Sequence, residues 1–158
     1  MSVDWDSMVD SATDYEILDA VCSELDQNNI SSAKIGINRY KDLLAARDRS
    51  TITSHLGRIM KHVIKWKVQP ERNSSSSWMD SIIEARKGIE SVCSEHPSLN
   101  RAFIESRWDV VFKRAFRDAR MEMMKSENDI PIRSLTWEEV FEDDYIYDPR
   151  REIVFLKV

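Results

Sequence analysis

Only three glycines and four prolines punctuate this chain of 158 residues. Tight hairpin turns draw on glycine, proline and asparagine for backbone angles that other residues resist, so few positions here could close the turns of an all-β fold. Helices remain, and the prolines become their stops. Pro70 has no amide proton and disfavours helical geometry in the residue before it, which predicts a helix end near Val68 or Gln69. Pro97 closes a second helix in the same way.

Apolar residues recur at helical spacing between these stops. Thr13 and Glu16 form a capping box ahead of a stripe of Leu18, Val21, Cys22 and Leu25. Gln27-Asn28-Asn29 breaks that pattern. Ser31 or Ser32 is placed to cap a second stripe, Ile30, Ala33, Ile37, Tyr40 and Leu44, which Gly36 weakens by about 1 kcal/mol relative to alanine. Asp48–Thr51 is either a break or the waist of one long helix, so residues 31–67 read as one helix or two. From Thr51 the stripe is Ile52, Leu56, Ile59, Met60, Val63 and Trp66. Asn73 and the four serines after it form a loop that caps a helix carrying Trp78, Ile82, Ala85, Ile89, Val92 and Cys93. A long helix from about Leu99 to Lys125 follows. Ile104, Trp108, Val111, Phe112, Ala115, Phe116, Ala119 and Met123 fill one arc, and Arg107, Lys113, Arg114, Arg117 and Arg120 the other. Thr136 and Glu139 make a second capping box, with Leu135 and Val140 as its hydrophobic staple.

Charge is segregated along the chain. Residues 1–33 carry −8 with no Lys or Arg, residues 34–126 carry +8, residues 127–148 carry −7 and residues 149–158 carry +2, for a net −5. The preferred reading is that acidic ends fold back over a basic middle. Net acidity argues against general nucleic-acid binding, which relies on accumulated positive charge. No apolar run approaches the roughly 20 residues that span a bilayer. The acidic M-S-V-D-W-D start has no signal-peptide core, so a cytoplasmic protein is expected. Cys22 and Cys93 read as buried free thiols on apolar helix faces.

The segment His62–Trp78 gathers the unusual side chains. His62, Trp66, Gln69 and Trp78 are the candidates for a ligand pocket, and His55, His62 and Gln69 repeat every seven residues. Two turns separate the histidines by roughly 10 Å, whereas one metal ion needs ligands at about 2 Å, usually i+3 or i+4 on a helix. No metal site, cofactor or catalytic residue is expected: H-E-x-x-H, G-x-S-x-G and glycine-rich phosphate loops are all missing from the sequence. The preferred reading is a structural corner in which His62 packs against Trp66 or Trp78 and the two tryptophans meet. Arg58, Lys61 and Lys65 form a basic ridge beside it. With Arg114, Arg117 and Arg120 this is the candidate basic surface; the ridge is read first as a solvated face and second as a contact for phosphate, an acidic protein or the acidic C-terminal segment. Asp109 and Asp118 are spaced to pair with Lys113 and Arg114. In the acidic-aromatic run that follows, Phe141, Asp143, Asp144 and Tyr145 are the candidates for docking a partner protein, with packing of the aromatics onto the bundle as the preferred reading.

The string H-V-I-K-W-K-V-Q-P, followed by S-W and by Ile82 and Arg86, resembles the family catalogued as domain of unknown function twenty-nine. Pro97-Ser98-Leu99, the run Ala115–Arg120 and the closing L-T-W-E-E-V-F-E-D-D-Y are similar to its later elements. The resemblance covers roughly residues 15–148 and implies a bacterial, largely cyanobacterial, helical-bundle protein with no activity attached. Arg39 and Tyr40 stand where the family pattern suggests an acidic pair.

These readings converge on an all-α fold: a four- to five-helix bundle in one domain, 1–158, with a short C-terminal helix. Residues 149–158 form an extended tail, and Ile153–Val158 is either a strand or a docking segment. The expected function is a non-catalytic protein–protein interaction or regulatory module. The alternatives are a nucleic-acid-binding or antitoxin-like regulator using the basic ridge, and an enzyme or ligand pocket around His62, Trp66 and Trp78.

Overall fold

The structure, a computed structural model, describes residues 2–70 and 75–145. Among them the secondary structure is entirely helical, with seven α-helices, one 3₁₀ turn and no strand. The helices are α1 (Trp5–Ser11), α2 (Asp14–Asp26), α3 (Ile30–Val68), α4 (Ser75–Glu95), α5 (Arg101–Ser106), α6 (Trp108–Met123) and α7 (Trp137–Phe141). The 3₁₀ turn spans Glu127–Asp129. The start of the polar loop at 71–74 and the tail with its apolar run at 153–158 lie outside the described residues. Contacts divide the chain into two compact units, Met1–Arg49 and Ser50–Val158. Asp48–Thr51 is helical, so α3 is one element with residues in both units.

The first unit holds α1, α2 and the beginning of α3. Helix α1 is too short to leave a periodic signal in the sequence. Asp4 caps it by accepting from the Ser7 amide at 3.1 Å, and Trp5 anchors it. The Trp5 indole N–H donates to Ser32 Oγ at 3.1 Å, and its ring lies over Gly36, where a Cβ would come within 2.7 Å of ring atoms. The glycine that weakens α3 is therefore the notch that admits Trp5. Helix α2 starts at the Thr13–Glu16 capping box, with Thr13 N to Glu16 Oε2 at 2.7 Å and Glu16 N to Thr13 Oγ1 at 3.3 Å. It ends in a Schellman turn. The Asn29 amide donates to Glu24 O, the Asn28 amide donates to Leu25 O, and Asn28 takes a left-handed φ of 62°. That turn releases the chain at once into α3, whose first residue is Ile30 rather than a position after a Ser31 or Ser32 cap.

The second unit is built on the later part of α3. Ile52, Leu56, Ile59, Met60, Val63 and Ile64 are fully buried there, packed with Ile82, Ala85 and Ile89 of α4 and with Val111, Ala115, Ala119 and Met123 of α6. Helix α3 ends at Val68, as Pro70 dictates. The long helix expected from Leu99 to Lys125 is two helices. Asn100 caps α5 by accepting from the Phe103 amide, and at Arg107 the amide bonds back three residues to Ile104 O. No local breaker residue stands there. A tertiary hold does: the Trp108 indole N–H donates to Leu135 O at 3.0 Å, and its ring stacks on Trp137 at 5.9 Å. After the 3₁₀ turn the chain inserts Ile130, Ile132 and Leu135 into the core, and Thr136 and Glu139 cap α7. Leu135 and Val140, the expected staple, are both buried.

Candidate functional site

The corner between α3 and α4 does not bring its two tryptophans together as expected. Trp66 meets Tyr145 edge-on at 6.0 Å, while Trp78 is buried beneath the Lys65 ammonium, which lies 4.9 Å from its ring centroid. Long-range partners decide this arrangement, and they leave no local trace in the sequence. His62 is half-buried. Burial, with the neighbouring charges of Lys65 and Lys61, lowers its pKa from 6.5 to about 4, so the imidazole is neutral at neutral pH. The heptad row behaves as one structural edge: His55 Nδ1, His62 Nδ1 and Gln69 Oε1 are buried without a partner among the described residues. His55 lies against Gly88, where a Cβ would fall 2.6 Å from its Nε2. Among the described residues no group of three or more His, Cys, Asp or Glu is placed to hold a metal ion.

The basic ridge is partly engaged within the unit. Glu122 on α6 takes Lys61 at 2.9 Å and Lys65 at 2.6 Å, and the Lys65 side chain is only 11% exposed. Burial alone would raise the Glu122 pKa, but the hydrogen bonds from Lys65 and Lys61 outweigh it and hold the carboxyl below its ordinary value. Arg58 stays exposed. On α6, Arg114 and Arg117 are exposed and Arg120 is half-buried. Asp118 lies 3.5 Å from its neighbour Arg117 rather than pairing with Arg114.

The C-terminal aromatics are likewise held inside the unit. Phe141 packs on Trp137 at 4.3 Å and on Trp108 at 6.3 Å. Tyr145 donates its hydroxyl to Glu139 O at 2.6 Å, and Arg86 donates to Val140 O and Asp143 O. Asp143 and Asp144 remain exposed. A cleft of about 540 Å³ opens nearby, with Lys67, Lys125, Asp129, Arg133 and Ser134 on its walls. None of His62, Trp66, Gln69 or Trp78 lines it. Lys67 pairs with Glu139, and Asp129 accepts from the Ser126 hydroxyl and feels the charge of Lys125.

The resemblance carried by this corner is confirmed by the family model described as Domain of unknown function DUF29, which matches residues 41–146. The chain belongs to the DUF29 family. The match begins at Lys41, further along than the expected residue 15, so α1, α2 and the opening of α3 lie outside it. No curated protein and no solved structure matches the chain. The DUF29 match carries no activity, and a functional site rests on the geometry of the chain itself.

That geometry points to the first unit. On α2 the buried face is Ile17, Val21 and Glu24, while Tyr15, Leu18, Cys22 and Leu25 are exposed. Cys22 is therefore not the buried thiol expected. Cys93 is half-buried, and burial raises its pKa. On α3 only Ala33 of the expected stripe is buried, Tyr40 is half-buried, and Ile30, Ile37 and Leu44 face solvent. Leu18, Leu25, Ile30 and Ile37 are 43%, 49%, 51% and 42% exposed. The physical reason is Trp5. Its ring lies over Gly36, where a Cβ would collide with it, beside the Ser32 hydroxyl, and one residue further along, Ile37 is turned about 100° around the helix. Docking α1 on that face leaves the conspicuous apolar stripes bare. Along α2 the exposed Tyr15, Leu18, Cys22 and Leu25 follow one another at helical spacing, and apolar side chains exposed together in this way tend to mark an interaction site.

Proposed function

We propose that the protein is a non-catalytic interaction module that holds a partner protein against the apolar stripes of its first unit. One observation carries this reading: Tyr15, Leu18, Cys22 and Leu25 on α2, and Ile30, Ile37 and Leu44 on α3, have the spacing of core positions yet face solvent. They lie in or next to a segment, residues 1–33, with eight acids and no Lys or Arg. Asp6 and Asp14 are answered by Arg39 and Arg47, while Glu16, Asp19 and Asp26 stand exposed around the α2 stripe. A complementary partner is therefore a helix with an apolar seam and basic flanks. We place the protein in the bacterial cytoplasm. The two free cysteines support this, as does the lack, among the described residues, of any helix long and apolar enough to cross a membrane.

The nucleic-acid reading has less support, because Lys61 and Lys65 already share Glu122. The pocket reading has less again, since none of His62, Trp66, Gln69 and Trp78 lines the cleft. The test is co-purification from the source cells with the wild-type chain and with a Leu18→Arg, Leu25→Arg chain, identifying proteins and nucleic acids together. A protein retained by the wild type and lost by the variant is the expected result. Nucleic acid retained equally by both, with no protein difference, would overturn the proposal.

A further inference from the structure

One helix of this chain presents apolar and basic side chains together on an exposed face, complementary to the apolar, acid-bordered stripe of α2. Helix α6 turns Val111, Ala115, Ala119 and Met123 to the core. Its opposite side carries Val110, Arg114, Arg117, Met121 and Met124, all exposed. Their spacing of four, three, four and three residues is the seam of a coiled coil, and Tyr15, Leu18, Cys22 and Leu25 on α2 repeat it as three, four and three. The seams are opposite in charge. Lys113 stands exposed beside the α6 seam; of the three acids of α6, Asp118 lies beside Arg117, Glu122 is held by Lys61 and Lys65, and Asp109 is exposed in the first turn. The α2 seam is bordered by Glu16, Asp19 and Asp26.

A second observation marks the end of the α6 seam. Met124 closes the helix in a left-handed conformation, φ 54° and ψ 41°, where glycine is the usual residue, and it is 93% exposed. The conformation belongs to a Schellman turn, in which the Lys125 amide donates to Arg120 O and the Met124 amide to Met121 O, and it leaves the long apolar side chain in water at the end of the seam.

We propose that the acidic α2 seam of one copy docks on the basic α6 seam of a second copy, a head-to-tail association. This rests on the partner-binding reading of the first unit and names the partner. The two surfaces differ, so each copy carries one of each and every contact joins unlike surfaces. Opposite charges along the seam also make the association salt-sensitive, because the screening length falls from about 10 Å at 0.1 M to about 3 Å at 1 M salt.

The experiment uses sedimentation velocity on three full-length chains at up to about 100 µM, in the range of weak protein association. The chains are the wild type, Leu18→Arg with Leu25→Arg, and Arg114→Glu with Arg117→Glu. All four altered positions are exposed, and circular dichroism is the check that each chain keeps its helices. The wild type is expected to grow in mass with concentration and to shrink in high salt. Each variant alone should be monomeric, and an equimolar mixture should form a 1:1 pair, because each retains the seam the other has lost. Three results overturn the proposal: a wild type monomeric throughout, association that survives either pair of changes, or variants that fail to pair on mixing. A monomeric wild type that still loses a co-purified protein when Leu18 and Leu25 are changed sinks the self-pairing and leaves the partner-binding reading intact.

Discussion

Ile17 and Leu18 are neighbours in sequence with opposite expected effects on stability. Sequence periodicity places Leu18 with Val21, Cys22 and Leu25 on the packed face; the structure buries Ile17 completely and leaves Leu18 open. Truncating a fully buried isoleucine to alanine costs about 2–5 kcal/mol, from lost transfer energy plus the cavity left behind. The first unit is only 49 residues long, and at about 0.05–0.15 kcal/mol per residue its own stability is roughly 2–7 kcal/mol. Ile17→Ala should therefore remove most of the local stability of α1, α2 and the start of α3, while Leu18→Ala should shift it by less than about 0.5 kcal/mol. Native-state hydrogen exchange read by mass spectrometry, comparing peptides from 2–49 with peptides from α4 and α6, measures both at once. The expected pattern is faster exchange in 2–49 for Ile17→Ala only, with α4 and α6 protection preserved. Equal losses from the two substitutions would show that Leu18 is packed in solution, and would refute the argument that Trp5 selects which face of the helices is covered.

Three further outcomes follow. His62 binds fewer protons folded than unfolded between pH 6.5 and about 4, so its contribution is complete above pH 6.5 and is lost as the pH falls toward 4. At 1.36 kcal/mol per pKa unit, and halved for solvent screening of a partly exposed ring, this amounts to roughly 1–2 kcal/mol. Denaturant midpoints across this range should show His62→Phe removing that share of the acid sensitivity, and NMR should place the imidazole titration well below 6.5. Glu122→Gln should destabilise the second unit by about 1 kcal/mol, since Lys61 and Lys65 lose their shared carboxylate; a melt unchanged from wild type contradicts that. Gly36→Ala improves helix propensity by about 1 kcal/mol, yet its Cβ must displace a ring pinned to Ser32, at about 1–3 kcal/mol. Net loss is expected, seen as a red shift and easier quenching of Trp5 in a chain keeping only that tryptophan.

The second unit was largely legible because its signals are local. Pro70 stops α3, Thr136 with Glu139 starts α7, and the stripe Ile52–Val63 is buried as its spacing demands. Distant partners were not legible. The break at Arg107 depends on Trp108 reaching Leu135, and the Lys61–Lys65 ridge is closed by Glu122 some sixty residues away. The candidate surface was hidden for a different reason. Periodicity identifies an apolar face without saying what covers it, and in the first unit Trp5 and Gly36 give that cover to the neighbouring face. Thus Leu18, Cys22 and Leu25 were readable as a stripe and unreadable as a surface.

The most direct measurement places a photo-crosslinking amino acid at Leu18 in the full-length chain expressed in its source cells, with the same group at exposed Glu90 on α4 as the reference. The account expects a discrete protein adduct, a second copy of the chain included, from position 18 and none from position 90. Irradiation that gives the same products at both positions, or none at position 18, would contradict the claim that the bare stripe of α2 is a binding surface.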